Sequence, residues 1–88
     1  MVEAYQVRAA RGLLDWSQSK LAKRAKVGLS TVRNFESGRS DIRISNLRAI
    51  AAALEKAGVE FIPGGVQLRS ASRRAQADVV PTKRRTSR

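Results

Sequence analysis

Only three residues, Lys26-Val27-Gly28, separate two short stretches of helical periodicity. A link of that length leaves room for a tight turn and nothing else. Before it, Leu21, Ala22 and Ala25 face inward, with Lys20, Lys23, Arg24 and Lys26 outward. After it, roughly Leu29 to Ser37, Val32 and Phe35 share one side. Ser17 suits the N-cap of the first stretch, because its hydroxyl can accept a free first-turn N–H. Gly28 is acceptable at the second N-cap, and Gly38 ends that stretch in the usual C-terminal position.

Further helical segments flank this pair. From Glu3 to Leu14 there is no proline, and Val7, Ala10 and Leu14 recur at helical spacing with Leu13 beside them. Asp15-Trp16-Ser17 interrupts that pattern. Arg39 to Arg43 reads as a polar loop. Ser45 is an N-cap candidate for a fourth helix through about Ala57, with Leu47, Ile50, Ala51 and Leu54 as its buried stripe and Gly58 as its stop. Val59 to Ile62 and Val66 to Leu68 are β-prone runs around Pro63-Gly64-Gly65, a hairpin pattern. An isolated hairpin is marginal in water, so these strands should pack on the helices or pair with a second subunit.

The expected fold is therefore mainly α: a compact four-helix domain followed by a β-hairpin (59–69), together residues 1–69. From Ser70 the periodicity stops. Arg73, Arg74, Lys83, Arg84, Arg85 and Arg88 stand there against a single acid, Asp78, so 70–88 reads as a disordered basic tail.

Charge and missing residue types narrow the function. Eighteen Lys and Arg oppose seven Asp and Glu, a net +11, which predicts attraction to polyanions such as nucleic acid or an acidic membrane surface. About half of that excess lies in the tail. No run of about 18 apolar residues and no signal-peptide core is visible, so a cytoplasmic location is expected. The chain has neither cysteine nor histidine. A disulfide framework and a Cys-based zinc site are excluded, and the commonest general base and metal ligand are missing. No nucleophile–base pair or paired carboxylates stand out. The expectation is a protein that is not an enzyme and has no cofactor or metal site.

Two short helices joined by a turn, with helices on either side, form a helix-turn-helix layout. Ser17-Gln18-Ser19-Lys20-Leu21-Ala22, then Val27, then Ser30-Thr31-Val32-Arg33-Asn34-Phe35-Glu36-Ser37-Gly38 resembles the phage-repressor (Xre-like) helix-turn-helix family. The resemblance covers about Val7 to Leu54. It implies a lambda-repressor-like domain that lays its third helix in the major groove of double-stranded DNA. Ala22 then lies where the second and third helices approach most closely, and Leu21, Val32 and Phe35 fill the small core. The acid matching Glu36 pairs in the family with an arginine at the position of Arg11. Leu29, Ser30, Thr31, Arg33 and Asn34 fall on the base-reading face, and arginine, asparagine and threonine can each address base edges. Gln18 marks the helix N-terminus where the family's glutamine meets a phosphate. Ser19, Lys20, Lys23, Ser37, Arg39 and Arg43 are further phosphate candidates, which would position the domain without reading sequence.

The chain also departs from the family. Many relatives carry glycine at the position of Lys26 and serine at that of Gly28, so Lys26 must close the turn in an uncomfortable backbone state or by altered geometry. Glutamate is absent from Ser19 and Lys20, which removes a capping box. Many phage repressors dimerise through a fifth helix. Here the hairpin replaces it, and Val59, Phe61, Ile62, Val66 and Leu68 are the expected homodimer interface. The leading expectation is a transcriptional repressor on a pseudo-palindromic operator. The alternatives are the antitoxin of a toxin–antitoxin pair, or a module whose helix-turn-helix binds another regulator. Against the module stands the polar third helix, where Leu29 is the only apolar anchor.

Overall fold

The computed structural model describes residues 2–39 and 41–69; the basic tail expected over 70–88 lies outside the described residues. Four helices precede a hairpin: α1 (Ala4–Leu14), α2 (Gln18–Ala25), α3 (Leu29–Glu36), α4 (Ile44–Lys56), β1 (Val59–Ile62) and β2 (Gly65–Leu68). This is the architecture that the apolar periodicity predicts.

Local chemistry sets most of the boundaries. A capping box opens α1: the Glu3 side chain accepts from the backbone of Gln6, and Glu3 N–H donates to Gln6 Oε1 at 2.8 Å. Ser17 Oγ accepts from Lys20 N–H at 3.0 Å and starts α2. The fourth helix begins at Ile44, with Arg43 rather than Ser45 as the boundary residue. Arg43 is still extended (φ −70°, ψ 143°), but its carbonyl already accepts from Leu47 N–H at 3.0 Å. Ser45 therefore sits inside the first turn, two residues too late to cap it.

The link between α2 and α3 resolves the exchange of glycine and lysine. Lys26 adopts the left-handed conformation (φ 59°, ψ 43°), while Gly28 is extended at φ −68°. Val27 N–H bonds to the Ala22 carbonyl at 3.1 Å and Lys26 N–H to that of Lys23 at 3.2 Å, which ends α2 as a glycine C-cap would. Asp15 closes α1 in the same way, at φ 57° and ψ 42°.

One apolar core collects every element: Val7 and Ala10, Leu21, Ala22 and Ala25, Val32 and Phe35, Leu47, Ile50 and Leu54, then Val59 and Leu68. The hairpin pairs Val59 with Leu68, Glu60 with Gln67, Phe61 with Val66 and Ile62 with Gly65. Strand alternation turns Val59, Phe61, Val66 and Leu68 toward the helices and leaves Glu60, Ile62 and Gln67 outside. Gln6, only 6% exposed, fastens the turn: its Nε2 donates to the carbonyls of Ile62 (2.9 Å) and Gly65 (3.0 Å). With Oε1 on Glu3, the buried amide is used at both ends. Arg69 ties down the strand's other end through Nη1 to the Glu55 carbonyl, at 2.6 Å.

Of the residues expected at a homodimer interface, Val59 is 0% exposed and Leu68 8%, so the side chains of both pack in this chain's own core.

A non-glycine residue in the left-handed region costs about 1 kcal/mol. Lys26→Gly should therefore raise the urea midpoint of unfolding, with a net gain of about half that amount once the extra flexibility of the unfolded chain is subtracted. A lower midpoint would show that Lys26 supports the turn in a way its backbone angles do not reveal.

Candidate nucleic-acid interface

Successive side chains on a helix step round by about 100°. In α3 the buried residues are Val32, Phe35 and Glu36, which places Ser30 and Asn34 at the centre of the opposite face. Leu29 and Arg33 flank that face on one side and Thr31 on the other. Ser30, Arg33 and Asn34 are exposed; Leu29 and Thr31 are half-buried, and Leu29 also packs against the core. Ser37 Oγ donates to the Asn34 carbonyl at 2.9 Å, which secures the end of the helix below this face.

A cleft of about 230 Å³ runs along the Thr31 side. Thr31, Asn34 and Phe35 of α3 line it together with Asp41, Ile42, Arg43 and Asn46. Among the described residues no side chain caps the first N–H groups of α4, so its positive dipole end opens beside Arg43 near the exposed face of α3. Asn46 was not a candidate from sequence. It belongs to α4, and only the crossing of α4 past α3 brings it to this cleft. Arg39 lies 3.9 Å from Asp41, with both side chains largely exposed, a contact worth little in water.

Behind this surface sits a buried carboxylate. Glu36 is 4% exposed and accepts two bonds from Arg11, Nε to Oε2 at 2.6 Å and Nη2 to Oε1 at 2.7 Å. Gln18 Nε2 donates to Oε1 at 3.1 Å, Arg8 Nη1 donates to the Glu36 carbonyl, and Arg11 Nη1 reaches the Trp16 carbonyl at 2.9 Å. The hydrogen bond to Glu36 raises the Arg11 pKa above its ordinary value, against the opposing effect of partial burial. This network fixes α1, through the Arg11 fork, and the start of α2, through Gln18, against the end of α3. It also turns one of the Gln18 amide hydrogens inward, leaving the other for an external acceptor.

The remaining candidates do not form one patch. Ser19 and Lys23 share an exposed flank of α2. Lys20 lies about 160° round the helix from Gln18, the residue that touches α3. Its Nζ rests over the Trp16 ring, 5.6 Å from the centroid, and Arg24 Cζ lies 5.3 Å from the same centroid. Among the described residues, no group of three or more His, Cys, Asp or Glu could hold a metal ion, and no helix is long and apolar enough to cross a membrane.

Removing one partner of a buried ion pair leaves the other uncompensated. Arg11→Met should destabilise the fold by about 3 kcal/mol in urea unfolding, whereas Arg39→Met should change it by less than about 0.5 kcal/mol. Equal effects would mean that the Glu36 carboxylate is solvated in solution.

Residues 7–61, more than half of the 88-residue chain, match the family model described as Helix-turn-helix. None of the curated proteins matches the chain. The chain belongs to this helix-turn-helix family, in its Xre-like form, and membership supports a DNA-binding regulator in general terms.

Proposed function

We propose that this helix-turn-helix protein is a transcriptional repressor that binds a pseudo-palindromic operator as a homodimer, with α3 in the major groove. The observation that carries the proposal is the outer face of α3. Among the described residues, the side chains of Ser30, Arg33 and Asn34 make no hydrogen bond or ion pair within the protein. They stand on a helix whose other side is fixed by the Glu36 network. Arg33 then offers a donor fork to guanine, Asn34 a donor and acceptor to adenine, and Ser30 and Thr31 hydroxyls to either. Leu29 contributes its outer edge to a thymine methyl.

Phosphate contacts would frame that face. The free amide hydrogen of Gln18 and the hydroxyl of Ser19 lie at the start of α2, and Ser37, Arg39 and Arg43 lie at and beyond the end of α3. Lys23 adds charge from its flank. Lys20 reaches a phosphate only by leaving Trp16, so its share is the smallest. Residues 1–69 form the binding unit in this scheme. The basic segment 70–88 adds affinity that is salt-dependent and indifferent to sequence. An occupied operator excludes other proteins by volume, which favours repression. The site of action is the cytoplasm, and no reaction is assigned to the protein.

For the homodimer, the outward part of the hairpin is the contact. Phe61, Ile62 and Pro63 line an open apolar recess with Val2 and Gln6, and Val66 lies half-buried beside Phe61. A dimer formed there reads two half-sites if it holds its two α3 helices about 34 Å apart, one turn of the duplex.

Selection from random duplex DNA tests the first part. The wild type should enrich a two-half-site sequence, and Arg33→Ala/Asn34→Ala should lose at least about tenfold of that preference. No enrichment by the wild type would end the regulator proposal, while full preference in the double variant would end the assignment of these two residues. For the dimer, Ile62→Glu should reduce the sedimentation mass to that of a monomer. An unchanged dimer mass would move the interface elsewhere.

A further inference from the structure

The side of α2 turned away from α3 has a different chemical character. Trp16 is half-buried where α1 gives way to α2, with Lys20 and Arg24 over its ring. The same ring walls an open groove of about 300 Å³, lined otherwise by Arg24, Ala53, Lys56 and Ala57. Its floor is methyl groups and indole. Its rim is cationic, and among the described residues no acid lines it. Glu55 neighbours Lys56 in sequence, but it projects about 160° round α4 from Ala53 and so lies on the far side of that helix.

We propose that this groove is a docking site for an acidic peptide segment of a partner protein, an apolar side chain flanked by carboxylates. The apolar group covers Trp16, Ala53 and Ala57, and the carboxylates meet Arg24 and Lys56. Charge complementarity selects this occupant. Lys20, Arg24 and Lys56 crowd one side of the molecule without a counter-charge in the groove, and an acidic partner relieves that repulsion. Duplex DNA fits less well, because phosphates offer nothing to the apolar floor. A single-stranded base fits less well too, because cations already lie over the indole on which it would stack. The proposal does not rest on base reading by α3. A segment docked here leaves Ser30, Arg33 and Asn34 uncovered, so partner and DNA bind together.

Trp16 is the chain's only tryptophan, which makes its emission a reporter confined to this groove. The full chain is titrated with a short peptide of glutamates around a central leucine, and with the same peptide carrying lysines as control. A mixed-sequence DNA duplex is titrated in parallel. The acidic peptide should produce a saturable emission change and the basic one none. Arg24→Glu/Lys56→Glu should weaken the acidic peptide at least tenfold, and by more than the general loss of duplex affinity that the lower net charge brings. Arg24→Gln/Lys56→Gln, with an unchanged circular dichroism spectrum, should show a smaller loss and guards against misfolding of the charge-reversed form. Absence of saturation at about 1 mM peptide would overturn the proposal. So would a response of Trp16 to the duplex together with a loss of DNA binding by the variants as large as their loss of the peptide, which would make the groove a phosphate-contacting face.

Discussion

The buried carboxylate of Glu36 is the contact on which the arrangement of the helices depends. It is the last residue of α3, yet its partners come from α1 and from the first turn of α2. A carboxylate so deeply withdrawn from water is costly unless its oxygens are filled, and Arg11 and Gln18 fill them. The fork of Arg11 is planar and directional, so it fixes an angle as well as a distance. Apolar packing among Leu21, Val32 and Phe35 would tolerate small rotations of α3 against α2. The Glu36 network does not. The exposed face of α3 therefore stands on a rigid base, as the duplex reading proposed for it would require.

A second constraint acts through the backbone. The turn between α2 and α3 needs one left-handed residue, and that need is met by Lys26 while Gly28 holds an ordinary extended conformation. The fold persists because the Ala22 and Lys23 carbonyls are satisfied across the turn and because Val27 packs against the core. Local strain of this kind survives when surrounding contacts over-determine the geometry. The hairpin shows the same logic in a different place. Two four-residue strands have little stability of their own, and burial of Val59 and Leu68 together with the amide of Gln6 anchors them to the helices.

The positive charge of the folded part is divided by α2. One portion surrounds α3, on Arg33, Arg39 and Arg43. Another lies over and beside Trp16, on Lys20, Arg24 and Lys56. Net charge alone does not distinguish these portions, since both raise the attraction of the chain for polyanions. Their surroundings do: polar side chains and an uncapped helix end in the first case, methyl groups and an indole in the second.

What depends on near neighbours is legible along the chain. Helical spacing of Val7, Ala10, Leu21, Ala22, Val32, Phe35, Leu47, Ile50 and Leu54 is a local property, and so are the Ser17 cap and the Pro63-Gly64 turn. These were enough to establish four helices, a hairpin and the helix-turn-helix resemblance. At the α3 surface the residue types and their common face were also legible, because both follow from a step of about 100°. Tertiary structure decided the rest. The amide of Gln6 finds carbonyls 56 and 59 positions away, and Gln18 finds Glu36 across 18. Asn46 reaches the α3 cleft only through the crossing of α4, and Lys20 leaves the surface near α3 for Trp16. Val59 and Leu68 read as interface or core with equal ease until a helix covers them. Periodicity gives the direction of a side chain on its own element, but what waits in that direction is fixed only when the elements pack.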